Sequence, residues 1–311
     1  MQKKLLSNKP KILLMLGYPR SGSTVFGELI SQSTHFLHVG EMERLWYPRK
    51  NKASFYPQKE CSCGSQLYEC DFWLPYFDKV AEKIKEIKSK RGVELNSKIL
   101  CGYKEDFIQK GKIHGPEAEI YTEVISTLYS ELYKGEGQII VDGSKELWYA
   151  KYLESTGLFD LSYLHLIRDV KGIVYSRQKK LKKKDEESNT VTLNYKYLVY
   201  DTLRWNYINT KTRKFLEDKR SVEVTYEDMV KKPKDVLKTI GDLMEVEIAS
   251  NSILNSQNAY FIEDNHLVHG NRFRFKRGEV KLKKDTRYLE EMKEFDLNLI
   301  DLLSWFKLHK N

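Results

Sequence analysis

Apolar positions along this chain fall into two kinds of stretch. Short, largely apolar runs at residues 12–16, 138–141, 161–168 and 222–225 have the length of buried strands. Longer stretches repeat their apolar residues at helical spacing. Residues 72–90 do so at Trp73, Phe77, Val80, Ala81, Ile84 and Ile87, opposite a lysine and glutamate face. Residues 116–133 repeat the pattern, with Pro116 near the start and Gly135 past the end. Further helices are predicted over residues 25–32, after Lys145 through Leu153, and over 191–216, 234–244 and 288–306. In the 191–216 helix the aromatic stripe Tyr195, Tyr197, Tyr200, Trp205 and Tyr207 reads as core packing. Residues 33–66 are turn-rich and aromatic, with Trp46, Tyr47, Phe55 and Tyr56 near Pro48 and Pro57, and read as loop. Residues 248–287 read as irregular. Strands alternating with helices predict an α/β fold, a parallel β-sheet flanked by helices with its ligand site at the carboxyl ends of the strands. No repeat or linker divides the chain, so residues 1–311 read as a single domain.

Composition adds bounds. A chain of 311 residues, 41% apolar, can build one α/β domain with a substantial core. The net charge of +9 suits an anionic ligand, and equally suits lysines dispersed over solvated helix faces. The run at residues 179–187 (KKLKKKDEE) reads as solvated surface or a flap over the site. No nucleic-acid-binding motif is present. The lysine-bearing N-terminus continues into only five apolar residues, too few for a signal segment or a membrane span, and no later stretch reaches spanning length. The expectation is a cytoplasmic enzyme without an N-terminal anchor. Of four cysteines, Cys61, Cys63 and Cys70 cluster and Cys101 stands apart. Their spacing matches no standard zinc motif, a fourth ligand would have to be Cys101 or a histidine, and the set reads as reduced thiols packed beside Phe72 and Trp73 with no metal.

The candidate chemistry begins directly after the first strand, at Gly17-Tyr18-Pro19-Arg20-Ser21-Gly22-Ser23-Thr24. Small residues let the backbone approach an anion, and the N-terminus of the following helix adds partial positive charge. Gly17 and Gly22 keep the Gly-x4-Gly spacing of a nucleotide phosphate loop, but Ser23 stands where such loops carry lysine, and the cation sits inside the loop as Arg20. A second constellation follows the strand at 161–168: Arg168 at its end and Ser176 eight positions later, about two helical turns along, can meet one phosphate.

These two motifs, in this order, resemble those of sulfotransferases that use PAPS (3′-phosphoadenosine 5′-phosphosulfate), in particular bacterial members with a P-loop NTPase-like fold. The resemblance runs from about residue 11 to residue 290. It implies that residues 17–24 (Arg20, Ser21, Gly22, Ser23, Thr24) hold the 5′-phosphosulfate, and that Arg168 and Ser176 hold the 3′-phosphate. Further matches are Cys-Gly…Cys-x-Phe-Trp at residues 61–73, Val141-Asp142-Gly143-Ser144-Lys145 against an Asp-Ser-Ser-Lys element, Tyr226-Glu227-Asp228, and His269-Gly270-Asn271-Arg272-Phe273-Arg274. By resemblance Tyr226 lies against adenine, Gly270, Asn271 and Arg274 close over the 3′-phosphate, and Lys145 reaches the sulfuryl group.

The implied reaction moves the sulfuryl group from PAPS to a hydroxyl of a sugar or small metabolite and releases PAP (adenosine 3′,5′-bisphosphate), with no metal required. Arg20 and Lys145 then stabilise the charge in flight, and Glu41, in Gly40-Glu41-Met42-Glu43, takes the acceptor proton. Glu43, His35 and His38 remain alternatives for that base. Met42, where tyrosylprotein members have a second glutamate, argues against a tyrosine acceptor. The acceptor's pocket falls to the irregular segments 33–70 and 248–287, and the oligomeric state is left open. Two other readings stand beside this one: a P-loop kinase or hydrolase, for which Asp142 is the single candidate Mg²⁺ carboxylate, and a non-catalytic nucleotide-binding protein of the same fold.

Overall fold

The computed structural model describes residues 9–46, 59–92, 107, 115–135, 137–178 and 193–306. The first eight residues, the aromatic and proline positions from Tyr47 to Pro57, Cys101 and the charge run at 179–187 lie outside the described residues.

In chain order the elements are β1 (Lys11–Leu16), α1 (Ser23–Ile30), β2 (Phe36–Gly40), α2 (Leu74–Arg91), α3 (Pro116–Leu132), β3 (Ile139–Lys145) and α4 (Leu147–Thr156). Then come β4 (Asp160–Ile167), α5 (Val170–Gln178), α6 (Tyr195–Leu216), β5 (Ser221–Thr225), α7 (Tyr226–Lys231), α8 (Pro233–Met244) and α9 (Ser250–Ile253). The chain ends with β6 (Ala259–Ile262), β7 (Gly278–Lys281), α10 (Arg287–Glu291) and α11 (Glu294–Leu303). Five strands form a parallel sheet in the order β2-β3-β1-β4-β5, and β6 pairs with β7 in a second, two-stranded sheet. Ile12 to Leu16 of the central strand are fully buried, as expected for a parallel strand covered on both faces.

The contacts divide the chain into two compact units, one made of the described parts of residues 1–15, 24–162 and 260–280, the other of 16–23, 163–259 and 281–311. The units interleave in sequence, so no linker composition marks them. In the first unit β2 pairs with β3 in the register Phe36↔Ile139 through His38↔Val141, then slips by a bulge to Gly40↔Asp142. Helices α2 and α3 pack on each other, burying Phe77, Val80 and Ile87 of one and Val124, Leu128 and Tyr129 of the other. In the second unit β4 pairs with β5 from Tyr163↔Ser221 to Ile167↔Thr225. Tyr18, Ile173, Val174, Trp205 and Ile300 share its core.

The observed elements depart from the predicted ones at five places. β2 lies inside the stretch read as loop: its five residues are framed by a serine, threonine and histidine turn and by Gly40, which hides them. β3 continues past Val141 to Lys145, because Asp142 and Ser144 are buried with hydrogen-bond partners. Strands β6 and β7 occupy part of the segment read as irregular. The last helix is two, since Lys293 adopts extended backbone and a new helix starts at Glu294. The tyrosine stripe of α6 is solvent-facing rather than core: Tyr195, Tyr197, Tyr200 and Tyr207 are exposed, and only Trp205 of that set is buried. The buried face instead carries Asp201, Asn206 and Asn209. Asp201 accepts from the Tyr18 hydroxyl at 2.8 Å and pairs with Arg177 at 3.0 Å. Asn206 accepts from the backbone N–H groups of Trp305 and Phe306. Polar side chains with dedicated partners can be buried, so hydrophobic periodicity misplaces this face.

Candidate active site

The loop after β1 folds back tightly on β4. Gly17 has φ +140, and a Cβ there would stand 2.3 Å from the Leu166 carbonyl oxygen, so only glycine fits. Arg20 sits in the left-handed region at φ +76, a conformation that non-glycine residues adopt at some energetic cost and that clusters at functional sites. Its Nε donates to Ser176 Oγ at 3.0 Å. Arg168, buried at the end of β4, donates from Nη1 to the Arg20 carbonyl at 3.3 Å and lies 4.4 Å over the Tyr226 ring. Trp205 anchors that turn by donating its indole N–H to the Arg168 carbonyl at 3.1 Å. The Tyr226 ring also lies against the Gly22 backbone, and its hydroxyl donates to the Lys283 carbonyl. Arg20, Gly22, Arg168, Ser176 and Tyr226, drawn from three separated stretches of sequence, thus form one constellation. Among the described residues, Arg168 Nη2 and the neighbouring Ser21 Oγ are buried and find no hydrogen-bond partner. Arg168 Nη2 stands 3.9 Å from Asp285 Oδ2. A tetrahedral anion is the chemistry that satisfies guanidinium, hydroxyl and backbone donors together.

The first unit holds a second constellation. The bulge at the end of β2 and Gly40, at φ +85 with the His269 carbonyl 2.6 Å from where a Cβ would lie, turn the chain so that Glu41 faces His269. Lys145, at the end of β3, is another non-glycine residue in the left-handed region, at φ +66. Its ammonium pairs with Glu41 Oε1 and donates to the Gly143 carbonyl at 2.7 Å. Glu41 Oε2 meets His269 Nδ1 at 2.9 Å and Arg44 Nε at 3.3 Å. Because the carboxylate only accepts, the His269 proton sits on Nδ1. Burial opposes ionisation of Glu41, yet the Lys145 ammonium and the His269 contact outweigh it and hold the carboxyl well below the usual carboxylate range. Burial lowers the His269 pKa, against the pull of Glu41.

The turn bearing these groups is clamped from beneath. Asp142 is fully buried and accepts from Tyr129 Oη at 2.5 Å, from the Ser144 backbone N–H at 2.8 Å and from the Met42 N–H. The Glu43 N–H donates to Ser144 Oγ at 3.0 Å. Asp142, the candidate Mg²⁺ carboxylate of the kinase reading, is therefore saturated by structural hydrogen bonds. Burial raises its pKa despite those donors. Near the start of α1, Thr24 Oγ1 accepts from the Asn271 N–H at 3.2 Å, and Arg274 donates to the Gly270 carbonyl at 3.1 Å. Thr24, Gly270, Asn271 and Arg274 are thereby gathered in one turn, while Ser23 opens α1 and is buried.

The alternative bases have surroundings of their own. His38 is buried 3.5 Å from Glu28. His35 precedes β2, at its amino end, and meets the Gly137 carbonyl at 3.0 Å. Glu43 is buried beside Arg44. His269 is the participant that sequence reasoning missed; the available signal was its place immediately before Gly270-Asn271. Among the described residues, a separate group that could hold a metal ion is Cys61, Cys63, Cys70 and His266.

Residues 11–250 match the family model described as Sulfotransferase family. No curated protein matches the chain. Among solved structures, the sulfotransferase domain from the curacin biosynthetic pathway is 18% identical, with 98% of this chain and 95% of that chain covered at a TM-score of 0.46. The sulfotransferase domain from the Synechococcus PCC 7002 olefin synthase is also 18% identical, covering 98% and 91% at a TM-score of 0.40. A sulfotransferase from Mycobacterium avium is 15% identical, covering 80% and 67% at a TM-score of 0.40. Likenesses of this size carry no argument, and the family match stands without them. No helix among the described residues is long and apolar enough to cross a membrane. Since the matched segment takes in well over half of the 311 residues, the chain belongs to the sulfotransferase family.

Proposed function

We propose that the protein transfers the sulfuryl group of PAPS to a hydroxyl of a sugar or other small molecule, releasing PAP. The observation that carries the reading is the constellation of Arg20, Ser176 and Arg168, in which two guanidinium groups, a hydroxyl and a glycine-rich loop stand together and a buried Arg168 nitrogen has no hydrogen-bond partner among the described residues. In the proposed reaction the acceptor oxygen attacks sulfur in line, the sulfur–oxygen bond to the 5′-phosphate breaks with its electron pair, and the acceptor proton passes to Glu41. Arg20 and Lys145 offset the negative charge that moves onto the departing phosphate. A carboxylate held as low as Glu41 is a weak base while Lys145 is paired with it. Proton transfer to Glu41 therefore requires the Lys145 ammonium to release its hold, which leaves the carboxylate able to take the proton. His269 keeps Glu41 oriented meanwhile.

The test supplies PAPS with a labelled sulfuryl group and pools of sugar and small hydroxyl acceptors, with no magnesium added. Label moving onto an acceptor with equimolar PAP is the expected result. No transfer from PAPS, with turnover in a parallel assay that supplies ATP and magnesium, would restore the kinase reading. PAP binding without transfer to any acceptor pool would favour the non-catalytic one.

A further inference from the structure

We infer that Cys61, Cys63, Cys70 and His266 form a structural zinc site. Their ligand atoms all lie within 4.8 Å of one another. Cys61 and Cys70 Sγ are 3.6 Å apart, Cys63 and Cys70 Sγ 3.7 Å, and His266 Nδ1 stands 3.2 Å from Cys70 Sγ and 3.8 Å from Cys61 Sγ. Tetrahedral zinc with Zn–S of about 2.3 Å and Zn–N of about 2.0 Å has S···S edges of about 3.8 Å and S···N edges of about 3.5 Å. Four of the six separations lie within about 0.3 Å of such edges, and all six lie within 4.8 Å. The same separations are far too long for a disulfide, whose sulfurs are about 2.05 Å apart, and all three cysteines are free.

The surroundings are built to hold ligands in place. Cys61 and Cys63 lie on a tight hairpin closed by Cys61 N–H to the Ser65 carbonyl at 2.8 Å, Gly64 N–H to the Cys61 carbonyl at 3.0 Å, and an antiparallel bridge between Glu60 and Gln66. Ser62, between them, grips the segment of the fourth ligand: its hydroxyl donates to the Asn265 carbonyl at 2.8 Å and accepts from the Leu267 N–H at 2.7 Å. Cys70 precedes α2, and Trp73 of the same turn donates its indole N–H to the His266 carbonyl at 2.6 Å. The Phe72 ring stacks on the His266 imidazole at 4.9 Å and 8°. Fixing a ligand's neighbours in this way is what conserves geometry around structural metals. The sequence alone conceals the site because the fourth ligand is 196 positions from Cys70.

Three thiols lose their protons to solvent on binding, and the neutral imidazole completes a closed Cys₃His set with no open position for substrate. The ion is thus structural, and sulfuryl transfer does not route through it. Its consequence is local: His269, which orients Glu41, lies three residues beyond His266 on the segment the ion pins.

Zinc is measured in the full chain, purified from zinc-supplemented medium, by elemental analysis. A mercurial thiol reagent with a zinc-sensitive dye gives a second count. One zinc per chain is expected, falling at least fivefold in Cys70→Ser and His266→Ala. Cys63 is exposed, so Cys63→Ser keeps the fold while losing a ligand, and its zinc content should fall likewise. Cobalt substituted for zinc should show the intense visible bands of a tetrahedral thiolate site. Wild-type protein that binds neither zinc nor cobalt would overturn the inference. So would a zinc content that Cys63→Ser and His266→Ala leave unchanged.

Discussion

Arg20 and Lys145 are two of the four non-glycine residues with positive φ among the described residues, and both are the cations assigned to the reacting charge. Their backbone conformation aims each side chain at the expense of local strain, which makes the geometry hard to reproduce by neighbouring lysines. Glu41→Gln should lower turnover about 10²–10⁴-fold while PAP affinity stays unchanged. The amide keeps the shape but cannot take a proton. It also leaves the Lys145 ammonium without its counter-charge, so the variant should melt lower by roughly 1–3 kcal/mol of stability. Turnover and thermal melts on the same preparation separate the two effects, and an active Glu41→Gln beside a dead Glu43→Gln would move the base. Lys145→Ala should slow single-turnover transfer while changing PAP affinity no more than a few-fold, because that cation acts on the transition state. Unaltered transfer would reduce Lys145 to a counter-ion for Glu41. Arg20→Lys should be milder than Lys145→Ala, although a point charge cannot keep the fork that reaches Ser176.

At the scale of elements, β1, β4 and the helices α2, α3, α6 and α8 were legible, because long apolar periods and unbroken apolar runs carry their own signal. β2 was not, since five residues beside a bulge and a glycine leave too short a pattern. The buried face of α6 was misread because its asparagines and aspartate are satisfied by partners far along the chain. A similar polar link joins β5 to α6 and β4: Glu223 receives the Arg213 guanidinium at 2.7 and 3.0 Å and lies 3.2 Å from His165. Burial resists its charge, but His165 and Arg213 prevail and lower its pKa from 4.5 to about 2. A depressed carboxylate contributes stability above its unfolded pKa, and that contribution fades as pH falls through the folded one. Denaturant titrations should therefore find Glu223→Gln less stable than wild type at pH 7, with the gap narrowing between pH 4.5 and about 2. A gap that stays constant across that window would assign the difference to packing.

For the molecule as a whole, the family and the α/β class were readable from two motifs, whereas the pairing of Glu41 with His269 was not. Those residues are 228 positions apart, and only the fold of the first unit joins them. Arg168 and Ser176 were singled out by their resemblance to the family's second motif, and the structure brings both to Arg20. The central claim, a PAPS-type nucleotide recognised through its 3′-phosphate, is tested most directly by calorimetric titration of PAP and AMP into wild type and Arg168→Ala, with no acceptor needed. Wild type should prefer PAP clearly. The substitution should weaken PAP by roughly 1.5–3 kcal/mol and leave AMP nearly untouched, since the lost charge-assisted contact exists only with the 3′-phosphate. Equal affinity for both nucleotides in wild type, or equal losses in the variant, would contradict it.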